Sequence, residues 1–141
     1  MAPKVKMIWG NLAVESTGRT REFYTALGFK PNEGFDGGEV LASILFGDNN
    51  FVINFFAKQH LEEAIETELT DTSASNEVMF SLSAENRAEV DEWAKKVEEA
   101  GGTVFSEPKE FSPQGSNQTF YGCGFADPDG HRFNVLDTSG M

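Results

Sequence analysis

The chain has 141 residues, with 23 Asp and Glu against 11 Lys and Arg, a formal charge of −12, and a single cysteine. That balance excludes a surface built to grip phosphate backbones, which needs clustered Lys and Arg. One cysteine excludes an intrachain disulfide and suits a reducing compartment.

No apolar run approaches the roughly 20 residues a membrane helix needs, and Met1 to Lys6 has no signal-peptide apolar core. The expectation is a cytoplasmic protein without nucleic-acid or membrane partners. The length fits one domain or two fused small modules, and about 140 residues can bury a core without disulfides or metal. Thirteen Phe point to a thick aromatic core, an aromatic-lined cavity, or both.

In chain order, Val5 to Val14 alternates as a strand, with Met7, Trp9, Asn11 and Ala13 on one face. Ser16 or Thr17 caps a helix over Gly18 to Leu27 that buries Phe23, Leu27 and Thr20 and ends at Gly28. Phe29 to Pro31 is a short strand or extended exit, and Asn32 to Glu39 a loop. Val40 to Phe46 and Phe51 to Phe56 are strands joined by the turn Gly47-Asp48-Asn49-Asn50. Leu61 to Leu69 reads as a short helix, and Thr70 to Asn76 as a polar, mobile connection.

A second cycle follows. Glu77 to Ala84 is a strand. Glu85 to Ala100 is a helix with a stripe of Val90, Trp93, Val97 and Ala100, stopped at Gly101. Thr103 to Ser106 is a strand, and Glu107 to Gln118 a loop with two prolines. Thr119 to Phe125 and His131 to Leu136 form a closing hairpin around Asp127-Pro128-Asp129-Gly130, where Pro128 presets a type I turn that Gly130 closes. On its last strand Arg132, Asn134 and Leu136 share one face. Gly122 and Gly124 mark a bulge or a close approach. Cys123 between them reads as a small buried hydrophobe, and Arg132 is the only cation placed to activate it. The order β-α-β-β-β thus occurs twice, as an α+β fold. The first module spans residues 5–57, a linker 58–76 and the second module 77–137.

This order, with Asn11-Leu12-Ala13-Val14 before a capped helix, Arg21-Glu22-Phe23-Tyr24-Thr25-Ala26-Leu27-Gly28-Phe29, and Phe125-Ala126-Asp127-Pro128-Asp129-Gly130-His131, resembles the glyoxalase / bleomycin-resistance / extradiol-dioxygenase superfamily, the vicinal oxygen chelate fold. The likeness covers nearly the whole chain and points to the branch of predicted lactoylglutathione lyases. It implies a single glyoxalase-like domain over residues 1–141, in which two paired βαβββ modules place an eight-stranded sheet system around a cup. It also implies a homodimer.

Members with known chemistry hold a divalent metal in the cup on His, Gln or Glu. Carried onto this sequence, those ligand positions fall on Trp9, near Asn54, near Glu77 or Val78, and on Asn134. Trp cannot ligate a metal and Asn offers only a neutral carbonyl, so no metal site and no cofactor are expected. The expectation is a small organic ligand in the cup. Trp9 is either a wall or a stacking platform. Asn11, Asn54 and Asn134 either bind the ligand or are satisfied by each other or by water, with Ser81 and Ser83 beside them and Phe56 and Tyr121 as apolar walls. Glu77 is either a solvated strand start or a general base of raised pKa. His131 reads as a turn residue and His60 as a surface histidine. The alternatives are a metal-dependent lyase or isomerase of the lactoylglutathione lyase kind, and a drug-sequestering protein of the bleomycin-resistance kind.

Overall fold

The computed structural model of the chain describes residues 2–141. Its contacts divide it into two units, the first through Leu69 and the second from Thr70. The first unit runs β1 (Gly10–Val14), α1 (Thr17–Ala26), β2 (Lys30–Pro31), β3 (Leu41–Phe46), β4 (Phe51–Ala57) and α2 (Lys58–Ile65). The second runs β5 (Met79–Ala84), α3 (Arg87–Glu99), β6 (Thr103–Phe111), β7 (Phe120–Ala126) and β8 (Arg132–Asp137). Each unit holds one four-stranded sheet, in the orders β1-β4-β3-β2 and β5-β8-β7-β6. The fold is α+β, two β-α-β-β-β cycles.

In each sheet the first strand pairs in parallel with the last and the remaining pairs are antiparallel. Joining parallel strands requires a crossover, and α1 and α3 supply it. Both helices have a side-chain N-cap. Ser16 Oγ accepts from Arg19 N at 3.1 Å, and Asn86 Oδ1 accepts from Glu89 N at 2.9 Å. Each helix ends at a glycine of positive φ, Gly28 or Gly101.

The helices cover one face of each sheet and make the cores there. In the first unit Tyr24 of α1 stacks on Phe55 at 4.8 Å and meets Phe46 edge-on at 5.6 Å, with Phe23, Ile44 and Ile53 buried around them. In the second, Trp93 of α3, Phe125 and Phe133 lie nearly parallel, at 6.3 and 5.0 Å, with Val90, Val97 and Val135 fully buried. Each such ring buried from water stabilises the fold by roughly 2–3 kcal/mol.

Several boundaries differ from the sequence reading. Residues 5–9 alternate, but the ladder on β4 begins only at Gly10, opposite Ile53, and Val5 and Ile8 are exposed. The second helix starts at Lys58 directly from β4, ends at Glu66 in a left-handed cap and buries Leu61; it is part of the first unit rather than a linker. β6 continues through Pro108 to Phe111, with register shifts after Val104 and Ser106. It is an edge strand, where a residue without an N–H is tolerated.

The segment read as mobile, residues 70–76, is tied to the β7–β8 turn. Thr72 Oγ1 donates to Asp129 O at 2.5 Å, and Asn76 Nδ2 donates to Thr72 O at 3.1 Å and to Gly130 O at 3.0 Å. Gly130 has φ of 92°, and a Cβ there would run into the backbone carbonyl of Thr72. Gly28 has a similar φ of 98° with nothing near its Cβ position. Gly130→Ala therefore carries both backbone strain and a collision, Gly28→Ala only the strain of about 1 kcal/mol. Urea denaturation should find Gly130→Ala the more destabilised of the two; equal losses would show that the 70–76 segment does not pack on the turn.

Candidate functional site

Strand alternation decides which side chains each sheet turns away from its helix. In the first unit Ile53 and Phe55 are buried toward α1, so Val52, Asn54 and Phe56 of β4 take the opposite face. The register adds Asn11 and Ala13 from β1 and Leu41, Ser43 and Leu45 from β3. In the second unit Phe133 and Val135 are buried toward α3, so Arg132, Asn134 and Leu136 of β8 take the other face. Met79, Ser81 and Ser83 of β5 stand beside them, and Gly122 and Gly124 of β7 lie opposite.

These two faces carry the same device. Asn54 lies on the last strand of its cycle, three residues before the end of β4, and Asn134 lies three before the end of β8. Asn54 pairs with Asn11 and Ser43, Asn134 with Ser81 and Gly124. In both residues Oδ1 is buried and reached by no protein donor. Asn54 Nδ2 donates weakly to Asn11 Oδ1 at 3.5 Å. A buried acceptor left unpaired costs roughly 1–3 kcal/mol, so each oxygen is a place where a hydrogen-bond donor would be held.

The other sequence-predicted residues distribute as follows. Asn11 and Ser81 are exposed beside the two asparagines, and Phe56 is half-buried on the face of Asn54. Trp9 lies just before β1, half exposed. Glu77 precedes β5 and is exposed, so it is outside the strand that would have carried it among these residues. Tyr121 is not a wall of this face. It shares parity on β7 with Cys123 and Phe125, its hydroxyl donates to Asp91 of α3 at 2.5 Å, and Arg87 lies over its ring at 4.8 Å. The Asp91 carboxylate accepting that hydrogen bond raises the phenol pKa.

One feature escaped the sequence reading. The Phe105 ring lies across Gly124, where a Cβ would come within 2.5 Å of it, and the Arg132 guanidinium sits over the same ring at 4.2 Å. The glycine was the visible signal of a close approach; the side chain that approaches comes from β6 and could not be named from spacing.

The donor set does not fit the divalent metal that the resemblance implies. Asn54 and Asn134 supply neutral carbonyl oxygens, and Trp9 and Phe56 supply none. Zn²⁺, Ni²⁺ and Fe²⁺ favour imidazole, thiolate and carboxylate. Among the described residues, no three His, Cys, Asp or Glu side chains are grouped so as to hold a metal ion.

The profile of the Glyoxalase/Bleomycin resistance protein/Dioxygenase superfamily matches residues 6–135. No curated protein sequence matches. Among solved structures, a hypothetical protein from S. aureus is similar at 35% identity and a TM-score of 0.79, over 95% of this chain and 94% of that one. A family enzyme from Burkholderia phytofirmans superposes with a TM-score of 0.74 at 16% identity, over 91% and 94%. A lactoylglutathione lyase from Agrobacterium tumefaciens does so at 0.63 and 19%, over 95% and 94%; these two likenesses concern the fold alone. No helix among the described residues is long and apolar enough to cross a membrane.

Cys123 lies on the helix-facing side, buried, with Sγ 3.9 Å from Val90 O. Arg132 is on the other side of the sheet and cannot activate it. Burial first, then the charges of Glu107 and Asp91, push its pKa up to about 11. The thiol therefore stays protonated through neutral pH and ionises only as pH rises toward that value. At pH 8 the native protein should react with a disulfide reagent at least about 100-fold more slowly than the urea-unfolded chain; comparable rates would show that the thiol is exposed.

Proposed function

The chain belongs to the Glyoxalase/Bleomycin resistance protein/Dioxygenase superfamily, and on that footing we propose that the open sheet face of each unit binds a small organic ligand through hydrogen bonds to its asparagine, Asn54 or Asn134, without a metal triad. The observation that carries this reading is the pair of buried carbonyl oxygens, Asn54 Oδ1 and Asn134 Oδ1, at matching positions of the two cycles and without protein donors. Net stabilities are only about 5–15 kcal/mol, so two such atoms are a substantial burden on the fold unless something donates to them. A ligand bearing N–H or O–H groups would do so in place of water.

The chemistry of the faces favours binding over turnover. An amide carbonyl accepts a hydrogen bond but neither takes up a proton nor attacks. Serine hydroxyls at Ser81 and Ser83 extend the polar strip on one face. Phe56, with Trp9 just before β1, adds apolar surface beside Asn54 in the first unit, so a ligand of that face has both polar and flat apolar parts. A metal-dependent lyase would need His or carboxylate donors at the asparagine positions. No observation favours sequestration of a cationic drug over this reading.

The test separates a binding asparagine from a structural one. Asn54→Leu and Asn134→Leu replace an orphaned polar group by an apolar one of similar size, a change that is near neutral or stabilising when no partner is lost. Urea midpoints should change by less than about 1 kcal/mol in free energy. Fragments carrying amide or hydroxyl groups that shift the Asn54 and Asn134 side-chain amide resonances of the parent should bind the variants at least about tenfold more weakly. Losses of several kcal/mol with fragment binding intact would make both residues structural and end the reading.

A further inference from the structure

We infer that the ligand of the second unit carries a single carboxylate joined to an apolar body, with the carboxylate held by Arg132 at the mouth of the face that also bears Asn134. This inference rests on the reading of that face as a binding surface and adds the charge class of what it takes.

Three observations converge. The first is the state of Arg132. In a chain with a formal charge of −12, Arg21 pairs with Asp36 at 2.7 Å and Arg87 with Glu110 at 2.6 Å. Arg132 has no carboxylate within ion-pair distance among the described residues; its guanidinium lies over the Phe105 ring at 4.2 Å. A guanidinium stacked on a ring is held in orientation while its in-plane N–H groups stay free, and that planar fork matches a carboxylate bidentately. The mount is built into the backbone, since only a residue without Cβ at position 124 lets the Phe105 ring lie there.

The second is a cavity of about 430 Å³ in the second unit into which Arg132 projects. Its far wall is the segment from Thr72 to Val78, fastened to the turn before β8 by the Thr72 and Asn76 hydrogen bonds. That wall is therefore fixed rather than induced, which lowers the ordering cost of binding. The volume falls within the range of small-molecule sites.

The third is the mixture of the lining. Val78, Met79 and Phe105 are 50%, 53% and 42% exposed side by side, an apolar shelf next to the Arg132 guanidinium. An inorganic anion would leave that shelf wet; an amphipathic acid covers it. Glu77 on the same rim and the acidic chain as a whole disfavour a phosphate dianion or a polyanion, leaving a monocarboxylate.

The probes are benzoate, its neutral analogue benzamide, and inorganic phosphate, titrated at constant ionic strength into the full ¹⁵N-labelled chain. Benzoate should give saturable amide shifts over residues 72–79 and at Arg132, with benzamide and phosphate giving none at the same concentrations. Arg132→Gln should weaken benzoate about tenfold or more, and Arg132→Lys less. Arg132 is exposed, so neither variant threatens folding. The inference is overturned if benzoate gives no saturable shift, if benzamide or phosphate matches it, or if Arg132→Gln binds it as tightly as the parent. The two levels fail separately. Fragment shifts retained at Asn134 with no dependence on Arg132 overturn the carboxylate alone. Benzoate held at Arg132 while no fragment reaches either asparagine supports the anion site and overturns the wider reading.

Discussion

The buried carboxylate of Asp127 fixes what the second unit can present. Oδ1 accepts from the backbone N–H of Asp129 at 3.0 Å and of His131 at 2.9 Å, Oδ2 lies 2.8 Å from His131 Nδ1, and the Asp127 N–H returns to His131 O at 2.9 Å. One side chain thus satisfies the donors of a turn that would otherwise be buried unpaired, and charge-assisted bonds of this kind are the stronger sort. The turn sets the register of β8 on β7, opposing Ala126 to Arg132 and Gly124 to Asn134. Slipping by one residue would send Phe133 and Val135 out of the core and Asn134 into it. The Asp127 hydrogen bonds therefore determine which face Arg132 and Asn134 occupy, and the same turn anchors the 70–76 segment that walls the cavity.

The two cycles solve the same problem in parallel. Each has one helix capped by a side chain and closed by glycine, one face of its sheet filled with aromatic and branched residues, and one face left with a polar centre on the last strand. Sequence identity between the cycles is slight, yet Asn54 and Asn134 coincide in place and in lacking a donor. A structural amide would have been given a partner, as Asn32 is given Ser43 Oγ at 3.2 Å and Asn76 two carbonyls. Among the side-chain amides of the described residues, only Asn54 and Asn134 bury an oxygen without a donor, which makes the two informative.

The element order was legible because its signals are local. Ser16 and Gly28 bound a helix whichever way the chain folds beyond them, and Asp127 to Gly130 encode their own turn. What escaped was set by distant neighbours. Pro108 reads as a breaker, but an edge strand accepts it. Residues 70–76 read as a mobile linker because their partners lie more than fifty positions away. Of the candidate site, the positions of Asn54 and Asn134 were readable from strand alternation and family likeness. Tyr121 was misplaced although its parity with Cys123, already read as buried, pointed to the helix side. Phe105 was invisible, since Gly124 announces that something comes close but not what.

The most direct test is an experimental density map of the ligand-free protein at about 1 Å or better, where amide orientation and bound species are distinguished. The account expects Asn54 Oδ1 and Asn134 Oδ1 each to meet an ordered water or small molecule at about 2.7–3.2 Å, with no protein donor on either. A metal ion at about 2.0–2.2 Å from these residues, or both amides turned so that protein donors satisfy their oxygens, would contradict it.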